Sequence, residues 1–140
     1  MQIIDLIIAT TGKSDKLYLT KTIEYLAEYN EYTMSQQVNL LIHKLLSIYE
    51  FRAAAYLCTL DDIDYNTCGY HLSYPPLHAA IIYHAKNVIQ ALVNNEYVDI
   101  YAVDVFNKTP QDYLESHCKY RPDIQDIMNQ AMEQRYIPRM

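Results

Sequence analysis

Three short apolar segments recur along the chain at a spacing of 35 residues: Ala54-x-x-Leu57, Ile89-x-x-Leu92 and Ile124-x-x-Ile127. A fixed period of this length constrains the fold more than any local propensity. Each repeat is one small supersecondary unit that cannot bury its own apolar face and must stack on the next. Each segment lies in a stretch whose apolar residues recur three and four apart, the period of an amphipathic helix. The chain has 140 residues, four such periods, so about four helix pairs are expected in one all-α domain.

The helical stretches fall at residues 3–10 and 16–28, 35–48 and 51–59, 76–83 and 86–94, and 110–117 and 122–135. Ser35 reads as an N-cap, and Pro76, Pro110 and Pro122 sit where a missing N–H costs nothing, in the first turn of a helix. Within a pair the connections are short. Between pairs they are long, at residues 60–75 and 95–109, and loops of that length need structure of their own. Val98 to Val103 reads as extended and Asp104 to Lys108 as a turn.

Composition narrows the partners. The net charge of −6, from 17 acidic against 11 basic residues, repels phosphate backbones, so nucleic acid is not expected. The apolar run from Ile3 to Ala9 carries Asp5, lacks a basic start and is too short to span a bilayer; it reads as a buried helix, not a leader or a membrane anchor. Cys58, Cys68 and Cys118 are an odd, sparse set, expected as free thiols in a reducing cytoplasm. Two glycines in the whole chain leave no glycine-rich phosphate loop.

The third unit carries a family resemblance. Tyr74-Pro-Pro-Leu-His-Ala-Ala resembles the Thr-Pro-Leu-His-x-Ala-Ala opening of an ankyrin repeat. Asn87-Val-Ile-Gln-Ala-Leu-Val resembles the second helix of that repeat. Asp99-Ile-Tyr-Ala-Val-Asp104 and Asn107-Lys-Thr-Pro-Gln-Asp-Tyr-Leu resemble the stretch leading into the next one. The two prolines, Pro76 and Pro110, stand 34 residues apart, one more than the usual ankyrin period, with Val98 as the extra residue. The likeness is clearest over residues 70–118. It implies an ankyrin-type helical repeat solenoid of about four stacked helix pairs with long inter-repeat loops or hairpins. Residues 1–33 would be a helical cap or degenerate repeat, 34–69 a degenerate repeat, 70–104 the best-matching repeat and 105–137 the last. Thr109 would cap the helix that Pro110 begins, and His78 would be a buried hydrogen-bonding residue tying neighbouring loops. His84, Glu96 and Asn107 stand where the family has glycine, and Pro75 stands where it has the capping threonine.

Motifs with chemistry are fragmentary. Thr10-Thr-Gly-Lys-Ser14 lacks the upstream glycine of a phosphate loop. Asp62-x-Asp64-x-Asn66 opens like a calcium loop but has Thr67 for its glycine and Ser73 for its closing glutamate. Cys68, His71, His117 and Cys118 include no paired zinc-ligand spacing. No nucleophile is set beside a base in a way that sequence adjacency can support, so no enzyme activity, cofactor, metal or small-molecule substrate is expected. Tyr18, Tyr25, Tyr29 and Tyr32 fall at helical spacings and read first as packing.

The resemblance implies a protein partner, held by a concave face of first-helix ends and loop tips. The positions that map to it are Tyr49, Ile82, Tyr83 and His117 at helix ends, and His71, Leu72, Tyr74, Val105, Phe106 and Lys108 at loop tips. A merely solvated face would carry charges there; these are apolar and aromatic, as interface hot spots are. The expected role is a protein-interaction module, such as a viral or bacterial effector or inhibitor acting in the cytoplasm. The alternatives are an immunity- or antitoxin-like inhibitor of a basic enzyme, and a small enzyme or metal-binding protein.

Overall fold

A computed structural model of the protein describes residues 33–67 and 74–135. The described residues form α1 (Met34–Ser47), α2 (Phe51–Leu57), α3 (Pro76–Ile82), α4 (Lys86–Val93), α5 (Pro110–His117) and α6 (Pro122–Arg135), with no strand among them. The expected pair at residues 3–10 and 16–28 lies outside the described residues, as do His71, Leu72 and Cys68.

Local chemistry sets the helix ends. Thr33, not Ser35, caps α1: its hydroxyl accepts from Gln36 N, and the Gln36 side chain accepts from Thr33 N. Gln at the third helical position completes the box for Thr33, a signal that outranks Ser35. The Ser35 hydroxyl serves the next loop instead, accepting from Asp64 N at 2.9 Å. Thr109 caps α5 with the same reciprocal arrangement through Asp112. Pro75 precedes α3 and gives it no side-chain cap, but Pro76 in the first turn removes one of the orphan N–H groups.

The corners after α1 and α3 are the same motif, 35 residues apart. Tyr49 (φ 63°) and His84 (φ 56°) are left-handed. Around them Tyr49 N bonds Leu46 O and Glu50 N bonds Leu45 O, while His84 N bonds Ile81 O and Ala85 N bonds Ala80 O. This is the Schellman ending, a site where glycine is favoured because a Cβ costs about 1–2 kcal/mol. Asn107 (φ 60°) and Asp62 (φ 61°) are also left-handed. Glu96 is not among them.

α1, α3 and α5 pack in one row and α2, α4 and α6 in a second, with contacts joining α1 to α2 and α3 to α4. Val38, Leu41, Ile42 and Leu45 follow the helical period on α1 and meet Ala53, Ala54 and Leu57 of α2 in a continuous core. Ala79 and Ala80 are fully buried, and as small residues they let α3 sit close to its neighbours. Ile89 and Leu92 of α4 and Ile124 and Met128 of α6 carry the core to the far end. Each such side chain contributes about 1.5–3 kcal/mol by leaving water.

The long connections are folded by side chains. Val98 to Val103 is a set of turns, not an extended strand. The reason is the asparagines and aspartates, whose side chains compete for backbone N–H groups. Asn95 Oδ1 accepts from Tyr97 N and Asp99 Oδ1 from Tyr101 N, each at 2.9 Å. Asn66 clips this loop to the previous one, donating to Tyr97 O and accepting from Asp99 N. Asp104 closes the next turn, with Asn107 N bonding Asp104 O and Asp104 N bonding Lys108 O.

Candidate interaction surface

The sequence period places one position of each first helix at the same height. His43, His78 and Tyr113 are 35 residues apart in succession, on α1, α3 and α5. His78 is buried, as expected, and its Nε2 lies 3.0 Å from Ala102 O and 3.1 Å from Lys108 O. It thereby ties α3 to both sides of the following loop. Burial holds its pKa below the ordinary value, against the opposing pull of the Lys108 carbonyl and the Asp104 charge. Tyr113 packs edge-on against His78, with centroids 5.7 Å apart, and its hydroxyl donates to the Asp104 carboxylate. Asp104 also accepts from Phe106 N at 2.9 Å and Lys108 N at 3.0 Å. Burial works to raise the Asp104 pKa; the bonds from Tyr113, Lys108 and Phe106 outweigh it and leave the group below its usual range.

From this polar row the aromatics reach outward. Tyr74 stacks on His43 at 5.6 Å and meets Tyr113 edge-on at 6.1 Å. Tyr113 continues to His117 at 5.8 Å, and Lys108 Nζ lies 5.8 Å above the Tyr113 ring. Tyr49 packs against Tyr83 at 6.2 Å and Phe51 at 5.9 Å. Burial, then the charge the Tyr83 phenol would carry, pushes the Tyr74 phenol up. The structure therefore forms two ring groups along α1, α3 and α5: Tyr74, Tyr113 and His117 with Lys108, and Tyr49 with Tyr83 and Phe51.

Not all of the mapped positions are free. Tyr74, Ile82 and Tyr83 are half-buried and pack against the core, so they are not rings standing in water. Tyr49, Val105 and Phe106 are exposed, at 72%, 66% and 60%. Lys108 and His117 are exposed as well. Phe106 makes no ring contact with Tyr74 or Tyr83; it projects from the loop that Asp104 holds. Tyr101 and Val103 of the same loop are exposed too. Sequence mapping missed them because Val98 to Val103 read as a strand. It also missed Tyr113 and His43, although the 35-residue period points at both through His78.

On another side lies a cleft of about 970 Å³. Asp61, Asp62 and Asp64 line it, with Asn94, Asn95 and Tyr97 opposite, at the C-terminal ends of α2 and α4. Asp64 Oδ1 is occupied there by a turn bond from Asn66 N, and the Asn66 amide by its bond across to Tyr97 O. Among the described residues no three His, Cys, Asp or Glu converge as metal ligands, and no helix is long and apolar enough to cross a membrane. Cys58 and Cys118 are free and buried, Cys118 at the end of α5 and not on an open loop, its thiol donating to Ile81 O at 3.4 Å. Burial raises the pKa of both thiols, which suits packing and not nucleophilic attack.

Compared with protein-family models, with curated proteins and with solved structures, the chain finds no match.

Proposed function

We propose that the chain is a protein-binding module of ankyrin-repeat type, which holds a partner protein on the face formed by the ends of α1, α3 and α5 and the loop before α5. The observation that carries this reading is the concentration of aromatic rings along α1, α3 and α5 and the exposed loop before α5. Half-buried Tyr74 and Tyr83 and buried Tyr113 form a packed base, and Tyr49, Val105 and Phe106 are exposed to water. Exposed apolar clusters mark interaction sites. Rings anchored by neighbouring rings lose little freedom on binding, which favours affinity. The two rows of helices and their repeated corners are the support for the ankyrin-type solenoid. The paired capping boxes and the buried Pro-Leu-His histidine support it further. In this reading the protein acts in the cytoplasm, as an effector or inhibitor that captures its target without chemistry.

The experiment is affinity capture from lysate with quantitative mass spectrometry, comparing the wild type with Phe106→Ala and Tyr49→Ala. A partner enriched by the wild type and depleted at least tenfold with either variant supports the face. Equal recovery by all three shows that the face is not used.

One observation favours a second reading. The cleft bearing Asp61, Asp62 and Asp64 faces two helix C-termini, and all these groups favour positive charge. An inhibitor of a basic enzyme would use it. Binding that falls steeply with salt, and falls again in Asp61→Asn/Asp62→Asn while surviving Phe106→Ala, selects that reading over the aromatic face.

A further inference from the structure

Two imidazoles stand at equivalent positions of successive helix pairs, each with a buried nitrogen at the joint. His43 and His78 occupy the same place on α1 and α3. His78 is buried and His43 half-buried, and each keeps one buried ring nitrogen without a partner, Nε2 in His43 and Nδ1 in His78. An apolar or fully bonded pair would hold the joint more firmly, since an unsatisfied buried polar atom weakens the fold. What the imidazoles add is a response to protons.

We propose that His43 and His78 make the joints between successive helix pairs acid-labile, so that mild acid loosens the stack and the aromatic surface it carries. The consequence for a partner rests on the interaction reading above; the joint itself is measured on the free chain.

The surroundings of both rings decide the direction. Around His43 stand the Tyr74 ring and backbone and His78. Around His78 stand Asp104, Asp112, Tyr113 and the carbonyls of Ala102 and Lys108, with His43 behind it. α2 and α4 pack against α1 and α3 but contribute no group that acts on either ring among the described residues. Burial keeps the His43 imidazole neutral down to about 4, the Tyr74 backbone bond opposing only in part. Burial lowers His78 as well, although Asp104 and the two carbonyls pull the other way. In an opened chain both rings take up protons near 6.5.

The unfolded chain therefore binds more protons than the folded one below about pH 6.5, and stability falls as pH falls. Protonating His43 in place leaves a poorly solvated cation at the joint and faces it toward His78, which then resists its own proton. Tyr74 touches Tyr113 in the next unit, so opening at His43 is felt across all three first helices. Asp104, held below its usual range, stays ionised throughout this window and does not mask the effect.

The test is the unfolding equilibrium constant from urea titration at pH 7 and pH 5, for the wild type and for His43→Phe, which keeps a ring against Tyr74 without the proton site. From His43 alone the constant rises about 20-fold between those pH values, and His78 adds to it. In His43→Phe that share is gone. Alongside, the His43 ring signals are followed by NMR in the folded wild type, and they stay unshifted to pH 5. A wild-type constant that changes less than threefold overturns the proposal. So does an equal pH dependence in the variant, or a His43 ring that titrates near 6.5 in the folded chain. If His43→Phe does not fold, the ring titration decides alone. A face that binds no partner leaves all these readouts where they are, so the two readings fail separately.

Discussion

Asp104→Asn tests how the loop that carries Val105 and Phe106 is held. The substitution keeps the shape of the side chain and removes its charge. In the wild type one carboxylate oxygen accepts from Phe106 N and Lys108 N, and the other from the Tyr113 hydroxyl. Hydrogen bonds to a charged group are worth about 1.5–3 kcal/mol each, roughly twice the neutral value. Asn keeps an acceptor for the two N–H groups at about half strength, and its amide sets a donor against the Tyr113 hydroxyl. The expected loss is about 2–3 kcal/mol, and for a chain of this size about 6–10 °C in Tm. Tyr113→Phe removes only the hydroxyl and costs about 1–2 kcal/mol, leaving its ring against Tyr74 and His78. Because both changes strike the same bond, the double variant costs at least 1 kcal/mol less than the sum. The assay is urea unfolding followed by far-ultraviolet circular dichroism at pH 7. Costs that add to within a few tenths of a kcal/mol refute the coupling, and a Tm for Asp104→Asn within 1 °C of wild type refutes the buried carboxylate. The pH sign follows: the folded pKa of Asp104 is depressed, so its contribution is complete above the unfolded value and is lost as pH falls through the folded one.

Tyr49→Gly is more stable than Tyr49→Ala by about 1 kcal/mol in thermal unfolding, because residue 49 is left-handed; equal stabilities contradict the positive φ. Thr109→Ala costs about 1 kcal/mol through loss of the capping box on α5, whereas Ser35→Ala costs less at its own helix, and the reverse order contradicts the assigned caps. Arg135→Ala frees the carbonyls of Val93, Asn95 and Val98 and costs about 1–3 kcal/mol in urea unfolding, and Arg135→Lys recovers only part because it lacks the planar fork.

Much of the fold was legible because the period and the prolines speak to the backbone directly. Pro76, Pro110 and Pro122 mark three helix starts, and among the described residues each helix end falls within two residues of its expected place. Ser35 misled because a capping residue is recognised by what stands three positions on, and Gln36 answers to Thr33. Val98 to Val103 misled because branched side chains suggest a strand. Asn95 and Asp99 turn the backbone before a strand can pair. The surface was legible in kind but not in exposure. A tyrosine at a helix end can lie over the core or away from it, and only packing places Tyr83 half-under its neighbours and Tyr49 outside them. The row His43, His78 and Tyr113 was written in the same 35-residue period as the helices. Its chemistry differs at each step, so a search for identical letters passes over it.

The measurement that bears most directly on the central claim is calorimetric titration of the captured partner against the wild type, Phe106→Ala and Tyr97→Ala. Both residues are exposed aromatics, Phe106 on the proposed face and Tyr97 in the cleft beside the end of α4. Binding through the aromatic face predicts at least a tenfold loss of affinity for Phe106→Ala, about 1.4 kcal/mol or more, with Tyr97→Ala unchanged and both variants melting as the wild type does. A partner that ignores Phe106→Ala and is lost with Tyr97→Ala contradicts the account and moves the working surface to the cleft.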